Sequence, residues 1–200
     1  MDPHTEKTML DLAPAAQRVA ALLDAVGDDL LDAPTPCPDY AVQHLLGHLS
    51  GLALAFRDAA RKDFGPTTDT DPGEALPELE EDWRTVLPRR LGDLAAAWRA
   101  PEAWEGTTRA GGVTLPGEVA GLVALNEVLI HGWDLARATG QEYTADEASL
   151  QASYAMLAPT AFSAQDRGPF GPPVPVPDGA SLLDRVIGLS GRRPDWRPGK

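Results

Sequence analysis

The sequence predicts an all-α fold, a four-helix bundle with additional short helices at its C-terminal end. Two observations carry this. Apolar residues recur at helical spacing through four long segments, and no run alternates strongly enough to make a buried strand. The last of the four segments is apolar almost all round, which places it at the centre of the molecule. Four main helices of up to about two dozen residues are the ordinary material of a bundle.

The first helix spans about Leu12 to Val26, with Leu12, Ala15, Ala16, Val19, Leu22, Leu23 and Val26 as its apolar stripe. Pro14 falls in the first turn, where it is tolerated, and Gly27 supplies a stop. The segment DAPTPCPD, Asp32 to Asp39, holds three prolines and is irregular, with Asp39 expected to cap the next helix. That helix runs from about Tyr40 to Lys62. His48 lies inside its stripe of Ala41, Leu45, Leu52, Ala55, Phe56 and Ala59, whereas His44 lies at the border and reads as a half-exposed surface residue.

A polar loop, Asp63 to Gly73, leads to a third helix expected over Glu74 to Trp98, which Pro88 should kink or split. The run AWEGTTRAGGVTL after it lacks helical periodicity and reads as a long connection with room for a short extended piece. The fourth helix begins near Pro116 and stops at Gly140. A fifth is expected from Thr144, where Thr144 and Glu147 form a capping-box pattern, to between Pro159 and Phe162. A Pro/Gly-rich segment from Ser163 to Gly179, a short helix over about Ser181 to Leu189 and a basic tail close the chain. The expected organisation is one domain over residues 1–200, its core at about 8–162 and the Pro/Gly segment and short helix within 163–200.

Composition narrows the function classes. With 43% hydrophobic and 24% charged residues the chain is an ordinary globular sequence. Thirty acidic residues against 17 basic give a formal net charge of -13, which disfavours nucleic acid and anionic lipid as partners. Cys37 is the single cysteine, so no intrachain disulfide forms, which fits a reducing cytoplasm. The N-terminus MDPHTEKTML does not read as a secretory signal, and no stretch approaches the ~18 uninterrupted apolar residues of a membrane span. The expectation is a soluble cytoplasmic protein, and apolar residues on outer faces would suit a homodimer.

Chemistry concentrates in the fourth helix. Glu127 and His131 stand four residues apart and therefore stack on one face, flanked by Ala120, Val123, Ala124, Ile130 and Leu135. A carboxylate and an imidazole sunk in an apolar surface need compensation, and a divalent cation compensates both. Inward-facing side chains on neighbouring helices build metal sites in bundles, so His48 becomes a third ligand if the second and fourth helices are neighbours. Two histidines and one carboxylate leave a position open, as in catalytic zinc sites. A hydrogen-bonded, metal-free pair is the alternative that the spacing alone leaves open.

Around this face, Asp134 can orient His131 as a hydrogen-bond acceptor or pair with Arg137. Trp133 sits on the opposite side and reads as packing. Cys37 has no basic partner close in sequence and reads as an inert loop thiol. No G-x-S-x-G, phosphate-cradling loop or dinucleotide fingerprint is present.

PTPCPDYAVQHLLGHLSG at Pro34 to Gly51 and LNEVLIHGWDLARATGQ at Leu125 to Gln141 resemble, in content, order and separation, the two signature stretches of the mycothiol-dependent maleylpyruvate isomerase-like family within the DinB/YfiT-like metalloenzyme superfamily. SLLDRVIGLSGRRPDW at Ser181 to Trp196 looks like the ending of a single-domain subgroup. The resemblance implies a DinB-like four-helix bundle in which His48, Glu127 and His131 hold a divalent metal, usually zinc. It further implies a low-molecular-weight thiol, mycothiol in the best-understood branch and bacillithiol in others, delivered as a thiolate to a small electrophilic substrate. The implied activity is of the thiol transferase or isomerase type. The characterised isomerase carries a separate C-terminal domain, whereas about sixty residues follow Gly140 here, so the metal site transfers residue by residue and the substrate does not. Two other readings use the same residues: a hydrolase working through metal-bound water, and a non-catalytic binding bundle whose metal is structural or absent. A fourth protein ligand, with His44 the nearest candidate, would favour the last.

Overall fold

The computed structural model describes residues 10–71, 73, 75–159 and 171–199. In chain order its helices are α1 (Ala13–Leu23), α2 (Val42–Arg61), α3 (Pro66–Asp69), α4 (Trp83–Ala97) and α5 (Pro101–Trp104). Strands β1 (Thr107–Ala110) and β2 (Val113–Pro116) follow, then α6 (Gly117–Ala138), α7 (Glu147–Leu157) and α8 (Leu182–Leu189). The long helices α1, α2, α4 and α6 form the predicted four-helix bundle. Each of α1 and α2 packs against both α4 and α6, so α2 and α6 are the neighbours that a shared site requires. Helices α7 and α8 pack on each other and α7 lies against α6.

Burial follows the stripes. Val19, Leu22, Leu45, Leu49, Leu87, Leu91, Leu94, Leu125 and Val128 are all buried in one core. Helix α6 is long and apolar enough to cross a membrane, but 83% of that stretch is buried within the protein, so its apolar surface is spent on the core. Two glycines beside the future site set helix distances. A Cβ on Gly132 would stand 2.7 Å from Val19 Cγ2 and 2.9 Å from the Tyr143 hydroxyl, and one on Gly47 would stand 2.5 Å from the Glu78 carbonyl oxygen. Bare backbone at Gly132 lets α6 approach α1, and at Gly47 it lets residues 75–82 cross α2.

Several boundaries differ from the sequence expectation. Residues 75–82 are not helical, and the helix starts only at Trp83. Leu76 and Leu79 match helical spacing, yet Leu76 is 58% exposed. Pro77 removes a backbone donor, and Glu78, Glu80, Glu81 and Asp82 would crowd like charges onto one helical turn. Helix α4 runs on past Pro88 without a split. Asp39 does not cap α2; Ala41 is the N-cap, and its N–H donates to His44 Nδ1 at 3.2 Å. Helix α7 is capped by Asp146, whose side chain accepts from Ser149 N–H at 3.0 Å, rather than by a Thr144 capping box. Its expected end at Pro159 to Phe162 falls partly outside the described residues, as does the first part of the Pro/Gly segment; α7 itself ends at Leu157.

The long connection contains α5 and a two-stranded antiparallel hairpin, Thr107 opposite Pro116 through Ala110 opposite Val113. Gly111 and Gly112 form its turn with φ of 58° and 75°, the left-handed pair that a tight hairpin demands. Helix α8 is capped by Ser181, whose hydroxyl accepts from Asp184 N–H, close to the expected position.

Candidate metal centre

His48 reaches inward from the first half of α2, where its stripe neighbours Leu45 and Leu52 are buried. Glu127 and His131 come from consecutive turns of α6, the helix sunk deepest in the core. Glu127 Oε2 lies 3.2 Å from His48 Nε2 and 3.4 Å from His131 Nε2. One donor atom from each of the three residues falls within 4.8 Å of the others. The His48 and His131 rings meet edge to face, with centroids 4.7 Å apart at 80°. Side-chain exposures of 11% for His48, 12% for Glu127 and 9% for His131 leave the cluster sheltered but not sealed.

These donors fit a divalent ion of the zinc kind. Bonds of about 2.0–2.1 Å to nitrogen and oxygen in a tetrahedron require donor separations of about 3.3 Å, and the two separations to Glu127 Oε2 bracket that. The donor set is two imidazoles and one carboxylate, and His44 is not in it. His44 instead accepts the Ala41 N–H at the start of α2, which commits Nδ1 to the helix terminus.

The other nitrogen of His131 is held. Nδ1 lies 3.0 Å from Asp134 Oδ2, one turn along α6, an arrangement that turns Nε2 toward Glu127 and fixes the tautomer. Asp134 is completely buried, and its charge is answered by Arg192 rather than by Arg137. Arg192 Nη2 donates to Asp134 Oδ2 at 2.9 Å and Nε donates to Oδ1 at 3.1 Å. Arg137 donates to the Pro194 carbonyl at 3.0 Å and lies over the Trp133 ring, whose 1% exposure confirms its packing role. The pairing of Asp134 with Arg137 is therefore corrected: the helix spacing permitted it, but the tail offers a two-point partner inside the core.

Arg192 is the site residue that the sequence reading missed. It sits in a Pro/Gly-rich basic tail with no periodicity to fix a direction. The signal available was a two-residue clue, Ser190–Gly191 after α8, where glycine permits the left-handed turn that ends a helix.

Protonation in the absence of an ion follows from these contacts. Burial would raise the Glu127 pKa, but hydrogen bonds from His131 and His48 outweigh it and hold the carboxyl well below the usual carboxylate range. For His131, burial acts downward, and the Asp134 and Glu127 carboxylates overcome it, lifting the pKa to about 9. Asp134 is kept ionised: burial opposes this, but the Arg192 charge and the His131 hydrogen bond win.

One loop borders the cluster. Thr35 Oγ1 accepts from Cys37 N–H at 3.1 Å and lies 2.7 Å from the Tyr40 carbonyl, tying residues 35–40 together. The Tyr40 ring then tilts against His48 with centroids 5.4 Å apart. Cys37 is half-buried in the same loop, and burial first, then the negative Asp134, pushes its thiol up to about 11. That is the environment of an inert thiol.

The chain is similar, at 28% identity over 185 residues, to an uncharacterized protein of Mycobacterium tuberculosis found in strains CDC 1551 / Oshkosh and ATCC 25618 / H37Rv, with 89% of this chain and 93% of each relative covered. Its fold is similar to the crystal structure of a mycothiol-dependent maleylpyruvate isomerase, with a TM-score of 0.61, 19% identity, and 92% of this chain and 88% of that one covered. A histidine-to-alanine mutant of such an isomerase gives a TM-score of 0.57 at 18% identity, over 73% of this chain and 66% of the other. At these identities the two structures establish the helical fold. Residues 12–136 match the model of the mycothiol maleylpyruvate isomerase N-terminal domain, well over half of the chain, and the protein belongs to that family.

Proposed function

We propose that this protein is a zinc-dependent enzyme that uses a low-molecular-weight thiol, mycothiol, against a small electrophilic substrate, in an isomerase or thiol-transferase reaction. The observation that carries it is the convergence of His48, Glu127 and His131, three donors from two helices, in a family named for a mycothiol-dependent isomerase. Three protein ligands leave room for a fourth, exchangeable one. When bound, a divalent ion there supplies Lewis acidity and lowers the pKa of a thiol placed beside it.

The chain's own residues do the rest. Glu127 contributes one negative charge against two neutral imidazoles, so the loaded site carries a formal +1, which attracts an anionic sulfur. Asp134 holds His131 by Nδ1, leaving Nε2 for the site. The Tyr40 ring, in the loop that also holds Cys37, flanks His48. Cys37, with its raised pKa, does not compete as the nucleophile. A reducing cytoplasm, which keeps the thiol reduced, is part of the proposal.

Protein purified without a histidine tag and reconstituted with zinc should consume an electrophile, with maleylpyruvate as the first to try, only when mycothiol is present. Turnover that is indifferent to mycothiol would replace this reading with the hydrolase. No turnover with a panel of electrophiles, from protein holding no metal, would overturn it.

A further inference from the structure

Arg192 lies outside the 12–136 stretch that defines the family match, yet it reaches the innermost part of the site. Its backbone is aimed by the end of α8. Gly191 has φ of 84°, its N–H bonds to the Gly188 carbonyl, and the Arg192 N–H bonds to the Ile187 carbonyl at 3.1 Å. This is the paired closure of a Schellman ending, in which the residue after the left-handed glycine turns back across the helix. The guanidinium then meets both oxygens of Asp134 and donates through Nη1 to the Ser190 carbonyl at 3.1 Å. Only 11% of its side chain is exposed.

We propose that Arg192 is a positioning residue of the metal centre, supplied by the C-terminal segment, which locks Asp134 so that Asp134 in turn locks His131 with Nε2 toward the metal. This rests on the zinc reading above. A carboxylate with only one partner rotates about its last torsion. The planar guanidinium fork removes that freedom by gripping Asp134 at two points, and its grip on both oxygens leaves Oδ2 directed at His131 Nδ1. The C-terminal segment therefore completes a site whose ligands all come from the bundle.

The test is a double-mutant cycle on zinc affinity and zinc release rate, with Arg192→Met, Asp134→Asn and the double variant, all in the full chain. Arg192→Met alone should weaken zinc binding roughly 10- to 100-fold, the usual cost of losing an outer-shell partner. In the Asp134→Asn background the same change should have less than about a threefold effect, because the amide has already lost the charge and the second acceptor oxygen that the guanidinium grips. If Arg192→Met folds poorly, Arg192→Lys takes its place in the cycle, since it keeps a charge beside Asp134 while losing the two-point grip. Arg192→Lys should recover only part of the affinity, and the visible spectrum of the cobalt-substituted protein should shift in Arg192→Met. Arg137→Met loosens a separate tie of the tail to α6 without touching Asp134, and should leave zinc affinity unchanged.

Unchanged zinc binding in Arg192→Met, additive effects in the cycle, or an equal loss in Arg137→Met would each overturn the positioning role while leaving the zinc centre standing. A wild-type protein that binds no divalent metal would overturn both.

Discussion

Glu127 Oε2 stands 3.2 Å from His48 Nε2, joining two helices across 79 residues of chain. That contact makes the site a test of the bundle as well as of the metal. One zinc per chain is expected in the wild type by elemental analysis. His131→Ala and His48→Ala should each lower affinity by at least about 100-fold, more than outer-shell losses do. Saturating zinc at about 100 times its dissociation constant should stabilise the fold by about 2.7 kcal/mol, and a chelator should reverse the gain in Tm. Equal metal content in wild type and His131→Ala would rule out these ligands.

The sign of the pH dependence follows from His131. Its metal-free pKa is raised to about 9 by Asp134 and Glu127 against the effect of burial. At pH 7 it therefore carries a proton that zinc must displace. Zinc affinity should rise about tenfold per pH unit between about 7 and 9, then level off, and calorimetry in buffers of different ionisation enthalpy should count one proton released. The metal-free fold behaves oppositely. A folded pKa above the unfolded one gives stability that is full below about 6.5 and is lost as pH rises through about 9, so the Tm of the chelated protein should fall over that interval. A release count of zero would show that His131 is already neutral in the metal-free protein.

What was legible in the sequence was what helical geometry fixes. His48 shares a stripe with Leu45 and Leu52, and Glu127 and His131 share a face, so three side-chain directions followed from spacing alone. The step from direction to contact needed α2 beside α6, which no local pattern encodes. Residues 75–82 went wrong because Leu76 and Leu79 imitate a stripe while the strap is held by its passage over Gly47, a tertiary constraint. Arg192 was illegible for the converse reason. It has no period, and a basic tail on an acidic chain looks solvated until α8 is known to fold it back onto Asp134.

Cys37 should behave as an unreactive thiol despite its place beside the cluster. Burial and the Asp134 charge raise its pKa to about 11, so its thiolate fraction at pH 7.5 is roughly 300-fold below that of a free cysteine with pKa near 8.5. Its reaction with an aromatic disulfide reagent should be slowed by about that factor. Cys37→Ser should keep both zinc content and thiol-dependent turnover. Rapid labelling, or loss of turnover in Cys37→Ser with zinc retained, would make Cys37 a participant in the chemistry.

Gly132 adjoins His131 and separates the helix-packing role of this stretch from its chemical one. An added Cβ would meet Val19 Cγ2 at 2.7 Å and the Tyr143 hydroxyl at 2.9 Å, both on buried residues. Neither neighbour yields easily. Val19 is fully buried in α1, and the Tyr143 hydroxyl is held by its donation to the Leu129 carbonyl at 2.9 Å. Gly132→Ala gains about 1 kcal/mol of helix propensity but overpacks the α1 to α6 contact, which costs about 1–3 kcal/mol. The net expectation is destabilisation of up to about 2 kcal/mol by denaturant titration. Tyr143→Phe added to Gly132→Ala should recover part of that loss, since it deletes the oxygen nearest the new methyl, whereas Tyr143→Phe alone should cost about 1 kcal/mol for its hydrogen bond. The strain falls on the face of α6 that packs against α1, so zinc stoichiometry should stay at one per chain in Gly132→Ala. Wild-type stability in that variant would mean that α6 sits farther from α1 than these distances show.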